Sequence, residues 1–343
     1  MKAVMFRQHG GPEVLEYADV PDPSIGAGEI LVRVNACSVN HLDLWIRQGI
    51  PAYHVSLPHI SGADVAGVVE RVGPDVTRPQ VGDRVVLMPS VMCGACEWCR
   101  VGQDNLCESY RIRGAGTDGG YAELVSAHAQ DAYPISPDGS FEEAAAFPLV
   151  FLTAWHMLVT RAKLQENQTV LIQAGGSGVG HAAIQIAKYL KARVIATVGS
   201  DEKIPKAKAL GADEVINYRR EDFYQRVKAL TQDRGVDVVF EHIGPETWEK
   251  SVRLLAKNGR LVTCGATSGP TVSLDLRYMF SRQLSILGSI MGTRAEFQLV
   301  TQLIGAGTFK PVVDTVFPLR EARAAQERMM NRDVFGKLVL RPT

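Results

Sequence analysis

Four cysteines, Cys93, Cys96, Cys99 and Cys107, crowd into one short stretch with the spacing C-x2-C-x2-C-x7-C. Thiolates this close in sequence hold a tetrahedral metal ion, and a four-cysteine set leaves no open coordination position. The expected site is therefore structural, with one Zn2+ pinning a protruding loop. An iron–sulfur site opens with the same spacing but continues with a short gap and a Cys-Pro pair. Here seven residues intervene, and Glu108 follows Cys107. The other two cysteines, Cys37 and Cys264, stand alone in apolar stretches and read as inert buried side chains.

The second chemical feature is the run Ala174-Gly175-Gly176-Ser177-Gly178-Val179-Gly180, between an apolar strand and an amphipathic helix. Glycines let the backbone approach a pyrophosphate, and the helix start supplies free N–H groups and partial positive charge. The usual glycine pattern reads Gly175-x-Ser177-x-x-Gly180, with serine at the second glycine. Gly175, Gly176, Ser177, Gly178 and Val179 are thus candidate cofactor contacts. An acidic residue ending the next strand would select NAD. This chain has Val198-Gly199-Ser200-Asp201-Glu202-Lys203. Ser200 and Lys203, with Arg219 and Tyr218 counted on the same side, suit a 2′-phosphate, so NADP(H) is favoured. Asp201 keeps NAD(H) open.

Elements must position these residues. Up to about residue 130 the chain reads as β-rich, with strands expected at Lys2–Met5, Glu29–Ala36, Asp64–Val72, Arg84–Leu87 and Tyr121–Ser126. From about Thr153 strands alternate with helices. In the helix expected over Val179–Leu190, the residues Val179, Ala182, Ala183, Ile186, Ala187 and Leu190 make one apolar stripe. Alternation continues through a helix at Glu246–Ala256 and a strand at Arg260–Cys264, which implies a parallel sheet covered on both faces. The fold class is α/β, a β-rich domain beside a doubly wound Rossmann domain. Lys+Arg and Asp+Glu both total 37, so no charge imbalance points to nucleic acid. No apolar stretch approaches the roughly 18 residues of a membrane span, and a cytoplasmic location is the default expectation.

Together these features resemble the medium-chain dehydrogenase/reductase superfamily, the zinc alcohol dehydrogenase and quinone oxidoreductase group, over essentially the whole chain. Further matches are Gly62-x-Asp64-x-x-Gly67-Val68-Val69, Val81-Gly82-Asp83-Arg84-Val85, Ala209-Leu210-Gly211-Ala212 and Phe335-Gly336-Lys337-Leu338-Val339. The resemblance implies a GroES-like catalytic domain over residues 1–150 and 292–343, and a Rossmann domain over 151–291. It carries cofactor contacts onto Thr153, Ile243, Gly265, Ala266, Ser289 and Ile290, with Lys337 approaching the phosphates. It also implies a small-molecule substrate and a homodimer or homotetramer, pairing through the apolar segment Leu284–Ile290.

In the zinc alcohol dehydrogenases a cysteine, a histidine and a second cysteine hold a catalytic zinc. Their positions fall here on Asn40, Ala63 and Leu149. None carries a thiolate or an imidazole, whereas a catalytic zinc needs protein ligands at all three. Asn40 with Asp43 instead matches the zinc-free quinone oxidoreductases. Without a Lewis acid, hydride transfer to a conjugated enone, an enoyl thioester or a quinone is easier than oxidation of a simple alcohol. Asn40, Asp43 and Tyr53 are the candidate catalytic residues. The alternative is an alcohol dehydrogenase with a metal site rebuilt from residues such as His41 and Asp64, with His54 and His59 nearby. A cofactor-binding protein without turnover is a further reading.

Overall fold

The computed structural model describes residues 1–51 and 55–342. Tyr53 and His54 lie outside the described residues. The chain divides into two compact units, Met1–Leu149 with Thr293–Thr343, and Val150–Gly292.

The first unit is built on a seven-stranded sheet. Strand order runs Ala132–Pro134, Arg84–Leu87, Asp64–Val72, Glu29–Ser38, Lys337–Arg341 and Val313–Pro318, and Leu124–His128 also pairs with Glu29–Ser38. The long strand Glu29–Ser38 binds the layer together, and its register places Ser38 opposite Asp64 and Val339. One residue of register would turn each inward side chain outward, so that pairing determines which groups meet at the strand ends. A three-stranded sheet, Glu16–Asp19, Lys2–Phe6 and His59–Ile60, packs beside it. Val4, Ile30, Val32, Val65, Val85, Tyr121, Leu338 and Leu340 lie in the shared core. The last strand explains why the C-terminal segment returns to this unit: Val339 and Leu340 complete the ladder against Ser38 and Cys37.

The second unit is a six-stranded parallel sheet ordered Glu214–Asn217, Arg193–Val198, Thr169–Ile172, Val236–Glu241, Leu255–Thr263 and Ser285–Gly288. This is the doubly wound order in which the direction of winding reverses beside the first strand, and ligands bind at the carboxyl ends there. The helix after the first strand runs Gly178–Tyr189 and buries Ala182, Ala183, Ile186 and Ala187, as the stripe requires.

Two expectations are corrected. The helix expected over Glu246–Ala256 ends at Arg253, and Leu255 and Ala256 open a strand that pairs with Val236–Glu241. Apolar residues at a helix end and at a buried strand start look alike. The strand expected at Tyr121–Ser126 begins only at Leu124, because Gly120 and Tyr121 give their N–H groups to Gly62 and Ser61 in an irregular crossing. Among the described residues, no helix is long and apolar enough to cross a membrane.

Candidate functional site

Helix His41–Gln48 opens at Asn40, the N-cap. Asn40 donates its backbone N–H to the Asp43 carboxylate at 2.8 Å, half of a capping box. Tyr121 donates its hydroxyl to the same oxygen of Asp43 at 2.9 Å. Asp43 is fully buried beside Asn40 at the helix start. Burial pushes its carboxyl from the ordinary 3.8 up to about 6, against the donors from Asn40 and Tyr121. Burial likewise holds the Tyr121 hydroxyl well above its ordinary value, so it stays a donor.

This shift has a measurable sign. Between pH about 4 and about 6 the folded chain binds the Asp43 proton more tightly than the unfolded chain does. The stability from this group is therefore present below pH about 4 and lost as pH rises through about 6. Asp43→Asn keeps the shape without the charge. Its stability relative to the parent is expected to rise by about 2 kcal/mol between pH about 4.5 and about 7, measured by urea unfolding. A pH-independent difference contradicts this assignment.

Beside the cap sits a fully buried polar cluster. Asp64 accepts from the Ser38 hydroxyl at 2.8 Å, the Asn40 side-chain amide at 2.9 Å, the Leu149 N–H at 2.8 Å and the Lys337 ammonium at 3.1 Å. The Lys337 ammonium also donates to Asn40 Oδ1 at 2.5 Å. Lys337 and Asp64 side chains are 2% and 0% exposed. A buried pair this well satisfied is favourable only as a set, since either charge alone is costly. The backbone next to Asp64 is constrained too. Gly62 has φ +110°, and a Cβ there would lie 2.6 Å from the Tyr121 ring and 2.8 Å from the Cys37 sulfur.

Lys337, which the resemblance expects to approach the cofactor phosphates, donates its ammonium to Asn40 and Asp64 within the first unit. Ser38 and Tyr121, which no motif in the sequence singles out, are further partners of Asp64 and Asp43. Asp64 was visible in the Gly62-x-Asp64 motif, but not as the centre of the cluster.

The cysteine loop brings its four sulfurs within 4.8 Å of one another. Cys107 and Cys93 sulfurs are 3.5 Å apart, and Cys93 and Cys99 sulfurs 4.0 Å. Tetrahedral Zn–S bonds of about 2.3 Å require sulfurs about 3.8 Å apart, so the set fits the ion. The N–H groups of Ala95 and Cys96 point at the Cys93 sulfur and hold its thiol down to about 6. Among the described residues this is the one group of three or more His, Cys, Asp or Glu side chains placed to hold a metal. Asp104, between Cys99 and Cys107, accepts the Arg294 N–H at 3.0 Å and so ties the loop to helix Arg294–Gly305.

In the second unit, several residues expected to contact a cofactor lie in the loops that follow the sheet's strands. Ser177 caps helix Gly178–Tyr189 by accepting the Gly180 N–H at 3.0 Å, which leaves the Gly178 and Val179 N–H groups without intrahelical partners. A Cβ on Gly180 would stand 2.2 Å from the Ala174 carbonyl. The turn therefore closes only around glycine, and its backbone can approach a pyrophosphate. Loops after the neighbouring strands are stitched together: Thr267 and Ser268 hydroxyls donate to the His242 and Ile243 carbonyls, next to Gly265 and Ala266. Ser289 donates its N–H to Thr263 at 2.9 Å, and Ile290 is exposed. Thr153 donates its hydroxyl to the Met291 sulfur at 3.6 Å. Beyond strand Arg193–Val198, Asp201 already accepts from Asn217 at 2.7 Å and pairs with Arg220 at 2.6 Å. Tyr218 and Arg219 are exposed beside it. The residues fit a dinucleotide.

Fold and site together define a zinc-lobed dinucleotide oxidoreductase, and comparison with known proteins agrees. The "Alcohol dehydrogenase GroES-like domain" profile matches residues 26–137, and the "Zinc-binding dehydrogenase" profile matches residues 178–306. An alcohol dehydrogenase of Geobacillus stearothermophilus is 35% identical over 99% of both chains. A quinone oxidoreductase of Pseudomonas aeruginosa is also 35% identical over 99% of both. A solved NAD-dependent alcohol dehydrogenase is 46% identical, with TM-score 0.96 over 100% of both chains. The chain belongs to the medium-chain dehydrogenase/reductase superfamily and is an NAD(P)-dependent oxidoreductase.

Proposed function

We propose that the enzyme reduces a conjugated carbonyl (an enone or enoyl thioester) or a quinone without a catalytic zinc. One observation carries the reading. By the motif resemblance Asn40, Ala63 and Leu149 fall at the family's metal-ligand positions, and the neighbouring carboxylate, Asp64, is saturated by Lys337, Asn40, Ser38 and Leu149. A metal taking Asp64 would have to displace a buried ammonium. Bound NAD(P)H supplies the hydride. A conjugated acceptor spreads the arriving charge, and a fixed hydrogen-bond donor at its oxygen lowers the barrier. Asn40 gives one amide hydrogen to Asp64 and keeps a second for that oxygen, with Lys337 fixing the amide's orientation. Asp43 holds the helix start, and Tyr53 is the proposed proton donor.

On the cofactor, the engagement of Asp201 by Asn217 and Arg220 supports NADP(H). Ser200, Lys203 and Arg219 are the proposed 2′-phosphate partners, with Tyr218 beside them. Lys203→Ala with Arg219→Ala is expected to weaken NADPH about tenfold and leave NADH within about twofold, measured by quenching of protein fluorescence. Equal losses for both would refute the assignment. Gly175 to Val179 receive the pyrophosphate, while Thr153, Ile243, Gly265, Ala266, Ser289 and Ile290 line the remainder.

A second reading draws on the 46%-identical NAD-dependent alcohol dehydrogenase: alcohol oxidation through a metal on His41 and Asp64. Steady-state assays of an enone, a para-quinone and a primary alcohol, each before and after chelation, separate the two. Reduction of the first two, insensitive to chelator, is expected. Chelator-sensitive alcohol turnover at about 1 per second or faster would overturn the proposal. A homodimer is also proposed, through edge strand Ser285–Gly288, with Leu276, Phe280 and Ile290 exposed nearby. A monomer in light scattering would refute it.

A further inference from the structure

The first unit contains a cavity of about 550 Å³, in the size range of small-ligand sites. Neither Asn40, Asp64 and Lys337 nor the cysteine loop's four ligands contribute to its wall. Arg113 does, and it is 3% exposed. Its guanidinium makes one hydrogen bond, to the Ser126 carbonyl at 2.8 Å, and its Nε has no acceptor. Among the described residues no carboxylate lies within ion-pair distance of it, and buried Asp131, itself paired with Arg294, acts on it only from further away. Thr117, in the same wall, has a buried hydroxyl that is also unpartnered.

An unpaired buried cation is costly unless something completes it. Among the described residues, none of the wall's four carboxylates, Asp19, Glu29, Asp118 and Asp131, makes an ion pair with Arg113. Asp131 is held by Arg294 at 2.6 Å, Asp19 by Lys2 at 2.6 Å, and Asp118 accepts the Ile60 N–H at 3.0 Å. A guanidinium offers more donors than the single carbonyl uses, and a carboxylate matches their geometry. Those same acidic neighbours disfavour a dianion. Much of the remaining wall is apolar, including Met5, Val20, Ile60, Leu124 and Val125.

We propose that this cavity is an accessory site for a small organic monocarboxylate, its carboxylate on Arg113 and Thr117 and its apolar body against Met5, Ile60 and Val125. Calorimetric titration of the intact enzyme, saturated with NADPH, with hexanoate, 1-hexanol and inorganic phosphate tests it. Hexanoate is expected to bind at least about tenfold tighter than 1-hexanol, with phosphate no better than the alcohol. Arg113→Met should abolish that preference. Thr117→Val, a milder change, should reduce it about threefold while leaving NADPH affinity intact. Hexanoate binding no tighter than hexanol would overturn the proposal. So would an unchanged preference in either variant that folds, or displacement of hexanoate by NADPH.

Discussion

Lys337→Met is expected to destabilise the enzyme by about 3–5 kcal/mol, because it leaves the Asp64 carboxylate buried without a cation. The replacement is close in length and apolar, so lost packing contributes little. What remains is an anion in a dry site, holding the Ser38, Asn40 and Leu149 donors but no positive charge. Adding Asp64→Asn to Lys337→Met should recover a large part of the loss, since the uncompensated charge is then gone. Reduction by the folded single variant should also fall, because Asn40 loses the ammonium that orients its amide. Urea unfolding of the three variants reads the first effect, and kcat on an enone the second. A double variant less stable than Lys337→Met would contradict the pairing, and an unchanged kcat would separate Lys337 from the chemistry.

Loss of the zinc lobe is the other large effect. Cys107→Ser removes one of four sulfurs in a set with no spare ligand. Metal binding to such sites is worth on the order of 10 kcal/mol at neutral pH, and that energy orders the loop. The variant should contain no tightly bound zinc. Hydrogen exchange should rise across residues 93–107 and at the Arg294 amide, whose acceptor Asp104 belongs to that loop. Enone turnover per folded chain should stay within about tenfold of the parent, because no cysteine of the loop belongs to the Asn40–Asp64–Lys337 cluster. Complete loss of turnover in a variant that keeps its fold would make this zinc catalytic and refute the structural role.

How much of this was visible in the sequence depended on range. The cysteine spacing and the glycine turn are local, and both appear in the structure as geometry that fits an ion and a dinucleotide. The parallel sheet was legible because strand–helix alternation repeats along the chain. The polar cluster was not, because Lys337 lies 297 residues from Asn40 and 273 from Asp64. A motif names such a lysine but says nothing of its depth or of the buried carboxylate it meets. Helix His41–Gln48 carried a usable signal in Asn40 and Asp43, a capping pair three residues apart, but its eight residues are too few for periodicity to show. Asp201 reads in the sequence as a candidate for NAD, with nothing local to name its partners. Its engagement with Asn217 and Arg220 depends on how the next strand's end folds back.

The count of tightly bound zinc per chain, in protein purified without added metal, tests the central claim most directly. One zinc per chain, lost in Cys107→Ser, is the expected result and leaves the chemistry to Asn40 and its buried supports. Two zinc ions per chain, one of them surviving in Cys107→Ser, would mean that a catalytic metal has been rebuilt from other ligands, and would contradict the account.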